Sequence, residues 1–180
     1  MNPIRVLRPV LLMVVLILTS VVQVYSQLPP PPPPASFSAH TLTDVDGDGK
    51  ADLVWRNTQT GDVVGWLMDG LTTKQAGVVS TGVPLVWQIA GVGDLNGDAR
   101  GDLVWYNTQT GDVVGWLMNG LTIAGSAVIA QVGDLNWQIA GVADVNGDGK
   151  ADLVWRNTET GHVVVWLMNG VQILQGGSIR

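Results

Sequence analysis

Oxygen-bearing side chains at alternate positions recur three times in this chain: in Asp44-Val45-Asp46-Gly47-Asp48-Gly49-Lys50-Ala51-Asp52, from Asp94 to Asp102, and from Asp144 to Asp152. Within a tight loop such positions converge on one point, and glycines let the backbone turn around it. The candidate ligands are Asp44, Asp46, Asp48 and Asp52 in the first loop and Asp94, Asn96, Asp98 and Asp102 in the second. The third loop offers Asp144, Asn146, Asp148 and Asp152, and the carbonyls of Lys50, Arg100 and Lys150 lie between the last two side chains of each set. About six oxygens, some from bidentate carboxylates, suit the size and flexible geometry of Ca²⁺, whereas Mg²⁺ usually keeps more water. Two histidines and no cysteine leave no cluster for zinc. The expectation is up to three calcium ions, one per loop.

A helix-flanked calcium loop would need an acidic residue at its twelfth position. Here that position is Trp55, Trp105 or Trp155, inside an apolar run, which excludes the helical form. The loops are also unequal. The first carries four carboxylates, while the second and third have asparagine at the third position, and Ala99 replaces the glycine at the sixth position of the second. A left-handed turn at Ala99 is costly, so the Asp94 to Asp102 loop is expected to be the weakest site.

The loops begin 50 residues apart, and sliding the sequence by that period aligns more than the loops. Phe37 falls on Trp87 and Trp137, and Trp87 to Val92 recurs unchanged as Trp137 to Val142. The expected repeats are 37–86, 87–136 and 137–180, the first opening on a degraded strand, Phe37 to Leu42, as terminal repeats often do. Within the second repeat, Trp87 to Val92 leads into the acidic loop, followed by Leu103 to Tyr106, a turn at Asn107 to Gly111, and Val113 to Met118. Asn119-Gly120 reads as a two-residue hairpin turn with positive φ at both positions, and a weaker fourth run follows at Ala127 to Ala130. The runs are nearly continuous, as in strands covered on both faces. Small four-stranded sheets covered in that way stack radially, so the fold class is all-β, built of β-propeller blades.

At 180 residues about one domain is expected. Arg5 and Arg8 precede an apolar run from Val10 to Val24, a charged n-region and an h-region, so residues 1–26 read as a signal peptide cleaved near Ser26 and Gln27. A single-pass anchor is the alternative, since the run approaches the shortest bilayer spans. Residues 27–36, with six consecutive prolines from Pro29 to Pro34, form a stiff polyproline II linker. A secreted, cell-surface or periplasmic location follows. The absence of cysteine leaves burial, metal or assembly to hold an exported domain together. The formal charge of -6 becomes about -8 once Arg5 and Arg8 are removed, which argues against nucleic acid as a partner.

These residues resemble the FG-GAP/VCBS repeat family, the calcium-loop blades of integrin α-subunit propellers and of many exported bacterial proteins. The units Trp87 to Gly120 and Trp137 to Gly170 carry its pattern of apolar strand, acidic loop and Leu-Val-Trp strand. The resemblance covers Phe37 to about Arg180. It implies that the loop carboxylates coordinate structural Ca²⁺ tying one strand of a blade to the next. Family propellers usually close with about seven blades, whereas three repeats cannot close a ring alone. A fragment, an open arc, or self-association that completes a propeller, for example two chains giving six blades, are the alternatives.

An enzyme would need a nucleophile and its base at defined places. His40 lies in the degraded strand and His162 in a turn where the other repeats have Asp62 and Asp112, so no catalytic residue is assigned. Trp55, Trp105 and Trp155, and likewise Trp66, Trp116 and Trp166, recur once per repeat, which suits a core layer better than sugar-stacking platforms. The variable segments Leu71 to Val86 and Leu121 to Asn136 are the candidate recognition loops. The expected role is a noncatalytic interaction or adhesion scaffold meeting an extracellular protein or glycan. A carbohydrate-binding, lectin-like module is the alternative, and an accessory domain of a polysaccharide-degrading enzyme comes third.

Overall fold

Each repeat's runs of Val, Leu, Ile and Trp become an antiparallel four-stranded meander. A computed structural model describes residues 37–179; the expected signal peptide and proline linker lie outside the described residues. The first sheet holds β1 (Phe37–Thr43), β2 (Asp52–Asn57), β3 (Val63–Asp69) and β4 (Thr72–Ser80). The second holds β5 (Trp87–Gly93), β6 (Asp102–Asn107), β7 (Asp112–Asn119) and β8 (Thr122–Gln131), and the third β9 (Trp137–Ala143), β10 (Asp152–Asn157), β11 (Val163–Asn169) and β12 (Gln172–Ser178). Strands pair in chain order within each sheet, and no helix occurs among the described residues. The first strands are neighbours across sheets, with β5 beside both β1 and β9. The fold is therefore three propeller-type blades that do not close into a ring.

Burial follows from the stacking. The middle blade's β6 is buried at every position, while β12 on the last blade is exposed at every position. Coverage on both faces thus belongs to the middle blade. The two end blades have it on one side only, because among the described residues nothing packs beyond them. One apolar cluster joins Val45, Val54 and Val63 of the first blade to Leu103, Trp105 and Met118 of the second. Its counterpart joins Leu95, Val104 and Val113 to Leu153, Trp155 and Met168.

The turns correct two expectations. Asn119 pairs with Thr122 at the end of the ladder, so the hairpin loop is Gly120-Leu121. Only Gly120 has positive φ there, at 60°, which is the requirement of a turn with glycine at its first central position. The variable segments are also mostly strand: β4 and β8 occupy 72–80 and 122–131, leaving 81–86 and 132–136 as connecting loops. Their β-formers are diluted by Gly, Ser, Ala and Gln, which weakens the sequence pattern.

Two bulges recur at matching places in all three blades, and the first two blades carry a third, at Val79 and Ile129. In the inner strands the extra residue is His40, Ala90 or Ala140. In the outer strands it is Lys74, Ala124 or Leu174. A bulge re-aims the side chain it carries, and the outer one decides what reaches the first acidic loop.

Candidate metal centre

Each acidic loop joins the first strand of its blade to the second and is held by its own carboxylates. Asp44 Oδ1 accepts the N–H groups of Gly47 at 2.6 Å and Asp48 at 3.2 Å, and its Oδ2 accepts that of Gly49 at 2.6 Å. Asp94 takes the same three positions, Gly97, Asp98 and Ala99, at 2.7, 3.1 and 2.7 Å. Asp144 repeats them with Gly147, Asp148 and Gly149, and these amide donors, Gly149 foremost, hold its carboxyl below the usual carboxylate range. Third-position oxygens of Asp46, Asn96 and Asn146 accept from the fifth residue's N–H. Fifth-position oxygens of Asp48, Asp98 and Asp148 accept from the N–H of Lys50, Arg100 and Lys150.

The tight winding requires left-handed backbone at the sixth position: φ is 83° at Gly49, 84° at Gly149 and 64° at Ala99. Ala99 is the lone non-glycine with positive φ among the described residues. The second loop therefore adopts the same path with a Cβ in a region that costs an L-residue roughly 1–2 kcal/mol.

The ninth-position carboxylates do different work. Asp52, Asp102 and Asp152 are fully buried. Asp102 Oδ2 accepts from Leu95 N–H at 3.0 Å, and Oδ1 from Met118 N–H at 2.8 Å. Asp52 joins Val45 to Met68, and Asp152 joins Val145 to Met168, in the same way. Each pins its loop to the third strand of its own blade. Burial outweighs the two amide donors at Asp102 and, with Asp98 and Asp94 nearby, pushes its carboxyl up to about 6.

Backbone carbonyls of the same loops cross to the next blade. Asp44 C=O accepts from Gly101 N–H at 2.6 Å and Val45 C=O from Gly120 N–H at 2.8 Å. One repeat on, Asp94 C=O accepts from Ala151 N–H and Leu95 C=O from Gly170 N–H, at 2.6 and 2.7 Å. Arg100 Nε reaches Asp46 C=O at 3.4 Å. The Lys150 side chain lies where a Cβ on Gly97 would touch it, 3.5 Å away. The loops are thus stacked at one end of the blades, each locked to its successor.

Among the described residues, one group of carboxylates meets the distance condition for a cation. One oxygen each from Asp44, Asp46 and Asp48 lie within 4.8 Å of one another. Oxygens held at 2.3–2.6 Å on opposite sides of a calcium ion stand roughly 5 Å apart, so the donor set fits. Asp52 stands outside this group. In the second and third loops the third-position amide leaves two clustered carboxylates rather than three.

A side chain that the sequence reading did not single out faces the first loop. Lys74, aimed by its bulge, pairs its ammonium with Asp48 Oδ2 and, at 3.3 Å, with Asp46 Oδ2. The bond to Asp48 lowers that carboxyl's pKa and raises that of Lys74. Lys50 lies 3.1 Å from Asp69 and 3.8 Å from Asp48. In the other loops the fifth-position oxygen is met instead by Asn96 Nδ2 or Asn146 Nδ2, each at 3.3 Å, and Arg100 sits 3.7 Å from Asp98. The sequence did hold a signal: the repeat with a carboxylate at the third position is also the one with lysine where the others have Ala124 and Leu174.

The tryptophans form a layer at the blade junctions. Trp105 and Trp155 are buried, and each tilts against a half-buried partner, Trp116 or Trp166, at a centroid distance of 4.8 Å. The indole N–H groups of Trp55, Trp105 and Trp155 are buried without an acceptor. A recess of about 330 Å³ between the first two blades is lined by Trp87, Trp105 and Trp116, and one of about 220 Å³ at the next junction by Trp137, Trp155 and Trp166. His162 is exposed.

Three stacked antiparallel four-stranded blades, each with an Asx-rich loop between its first two strands, define a propeller-type repeat protein. The chain belongs to the FG-GAP repeat family: an FG-GAP-like repeat matches residues 44–105 and an FG-GAP repeat matches residues 135–166. The first match runs from the first acidic loop to Trp105, and the second takes in the third loop and ends at Trp166. No curated protein and no solved structure matches the chain. Repeats of this family are typically extracellular or cell-surface interaction modules and generally noncatalytic scaffolds, and they often bind calcium.

Proposed function

We propose that the chain is an exported, calcium-binding interaction scaffold, with repeats over 37–86, 87–136 and 137–180 carried behind a signal peptide and a stiff proline linker. The observation that carries this reading is the convergence of Asp44, Asp46 and Asp48 within calcium-spanning distance, in a loop geometry repeated in every blade. Bound calcium would draw on the first-, third- and fifth-position side chains, with the carbonyls of Lys50, Arg100 and Lys150 completing the set. The ion would neutralise charge that the loops concentrate at one end of the stack. For this, Lys74 and the amides of Asn96 and Asn146 must swing away from the fifth-position oxygens. The partner is an extracellular protein or glycan, met without turnover.

Isothermal titration of the full chain with Ca²⁺ and with Mg²⁺, beside thermal melts with and without EDTA, tests the metal. Calcium bound only to the folded state must raise its melting temperature. A melting temperature indifferent to both EDTA and added Ca²⁺ would falsify the calcium reading. The recesses at the blade junctions favour a second reading, a glycan site, because a half-buried indole (Trp116, Trp166) lines each of them. A glycan array with an activity screen on the same polysaccharides tests the second reading: binding without turnover that is lost on Trp116→Ala or Trp166→Ala supports the lectin-like form, and no binding to any glycan counts against it.

A further inference from the structure

The two ends of the blade stack carry the chemistry of the internal junctions, uncovered among the described residues. At the junction between the first and second blades, the trailing face presents Val45, Val54, Arg56 and Val63, all buried. The Arg56 guanidinium lies over the Trp105 ring, 5.8 Å from its centroid. The trailing face of the third blade repeats those residue types as Val145, Val154, Arg156 and Val163. There Arg156 is exposed and Val145 is 51% exposed, against 1% for Val45. The leading face of the first blade carries Leu53, Trp55 and Met68, the counterparts of Leu153, Trp155 and Met168. These three are half-buried, whereas the third-blade set is at most 2% exposed.

The backbone tells the same story. Gly101, Gly120, Ala151 and Gly170 give their N–H groups to the preceding loop. Their first-blade counterparts, Ala51 and Gly70, are exposed, and among the described residues their N–H groups meet no acceptor. Likewise the Asp144 and Val145 carbonyls meet no donor among the described residues.

We propose that a second copy of this chain docks head to tail, its first blade's leading face on the third blade's trailing face, reproducing the internal junction. Asp144 and Val145 carbonyls then accept from Ala51 and Gly70 N–H of the other copy, and Arg156 covers its Trp55. The contact is heterologous, so two copies close a six-blade ring if the rotation permits and otherwise extend. It does not depend on any cation.

Two positions make this contact looser than the internal ones. The internal junctions place a glycine opposite a larger residue, Gly101 against Thr43 and Gly93 against Ala151, where an added Cβ on Gly93 would stand 2.7 Å from the Ala151 Cβ. Between copies, Ala143 meets Ala51. Leu121 and Val171 each settle on a glycine of the preceding blade, Gly65 and Gly115, but Leu71, 94% exposed, would meet Val165. The contact is therefore reversible rather than permanent.

Light-scattering mass of the full chain over a wide concentration range, in EDTA, tests the proposal. Mass should rise above the monomer with concentration, and Arg156→Glu or Val145→Glu, both at exposed sites, should return it to the monomer. Ala143→Gly combined with Leu71→Ala should tighten association about ten-fold, equivalent to about 1.4 kcal/mol. The apolar amino-terminal run is common to every variant, so only differences between variants count. Wild type and the Ala143→Gly/Leu71→Ala variant both staying monomeric would overturn the proposal, and so would association that Arg156→Glu and Val145→Glu leave intact.

Discussion

Three equivalent glycines measure how much a following blade adds to the one before it. Gly61, Gly111 and Gly161 close the turn between the second and third strands with φ of 80°, 74° and 75°. Alanine in that region costs roughly 1–2 kcal/mol, partly offset by about 0.4–1 kcal/mol from a stiffer unfolded chain. At Gly161, where a Cβ meets nothing within 4 Å, the net loss should be about 1 kcal/mol. At Gly111 the Cβ would overlap the Val132 carbonyl oxygen and stand 2.9 Å from its carbon. Val132 N–H bonds to Gly111 C=O at 2.8 Å, so relieving the overlap breaks that bond, worth about 0.5–1.5 kcal/mol. It also lifts residues 132–136 from the junction, and forced displacement in a packed site costs about 1–3 kcal/mol. Gly111→Ala should therefore lose about 3 kcal/mol or more, at least twice the loss at Gly161. Urea midpoints and thermal melts in EDTA read this without metal, and the wider gap should appear as about 6–12 °C lost for Gly111→Ala against about 2–4 °C for Gly161→Ala. Equal losses would refute the idea that the connecting loop seals the junction.

Two further predictions concern the acidic loops. Lys74→Ala should tighten calcium binding at the first loop, because the ammonium sits on two of its three clustered carboxylates; a titration identical to wild type would show that Lys74 does not compete. The second concerns Asp102 in EDTA. With its carboxyl pushed up to about 6 from 3.8, the folded chain holds a proton that the unfolded chain has released between those values. Stability from this group is therefore greatest below the unfolded value and falls as pH rises from about 4 to 6, by at most about 1.4 kcal/mol per pH unit. Melting at pH 4.5 relative to pH 6.5 should favour the acid side more in wild type than in Asp102→Asn, and identical differences would count against the buried carboxylate's cost.

The strands and loops were legible because burial and turn chemistry are written in side chains. Leu103-Val104-Trp105 is bounded by acidic loop and Asn107, whose Oδ1 accepts the N–H groups of Gln109 and Thr110 at 2.9 and 3.2 Å to fix the turn. The hairpin slipped by one residue because Asn119-Gly120 and Gly120-Leu121 both satisfy a glycine-centred rule, and register chose between them. The fourth strands carry only a weak pattern because an exposed edge strand needs few apolar residues. Least visible was what the loops do between blades. That role belongs to the carbonyls of Asp44, Val45, Asp94 and Leu95, which any residue possesses. Lys74 depended on a bulge, and a fixed period cannot show which residue a bulge will turn.

The loops couple two events that the sequence presents as separate. In the first loop, carboxylates at the first, third and fifth positions cluster within 4.8 Å of one another, and in the first two loops carbonyls at the first and second positions hold the next blade. One backbone segment therefore serves both, and fixing it for one purpose lowers the entropy cost of the other. Val45 and Leu95 are pinned in this way, at 1% and 0% exposure, but Val145 is not. The third loop should thus bind calcium more weakly in the isolated chain than its ligand set implies, and gain affinity when a second copy caps it. Reciprocity requires calcium to strengthen that association by the same factor. Mass measured in Ca²⁺ and in EDTA at one chain concentration reads the coupling directly. Equal masses in the two buffers, at a concentration where association is partial and the third loop is known to be loaded, would separate the loop's two roles.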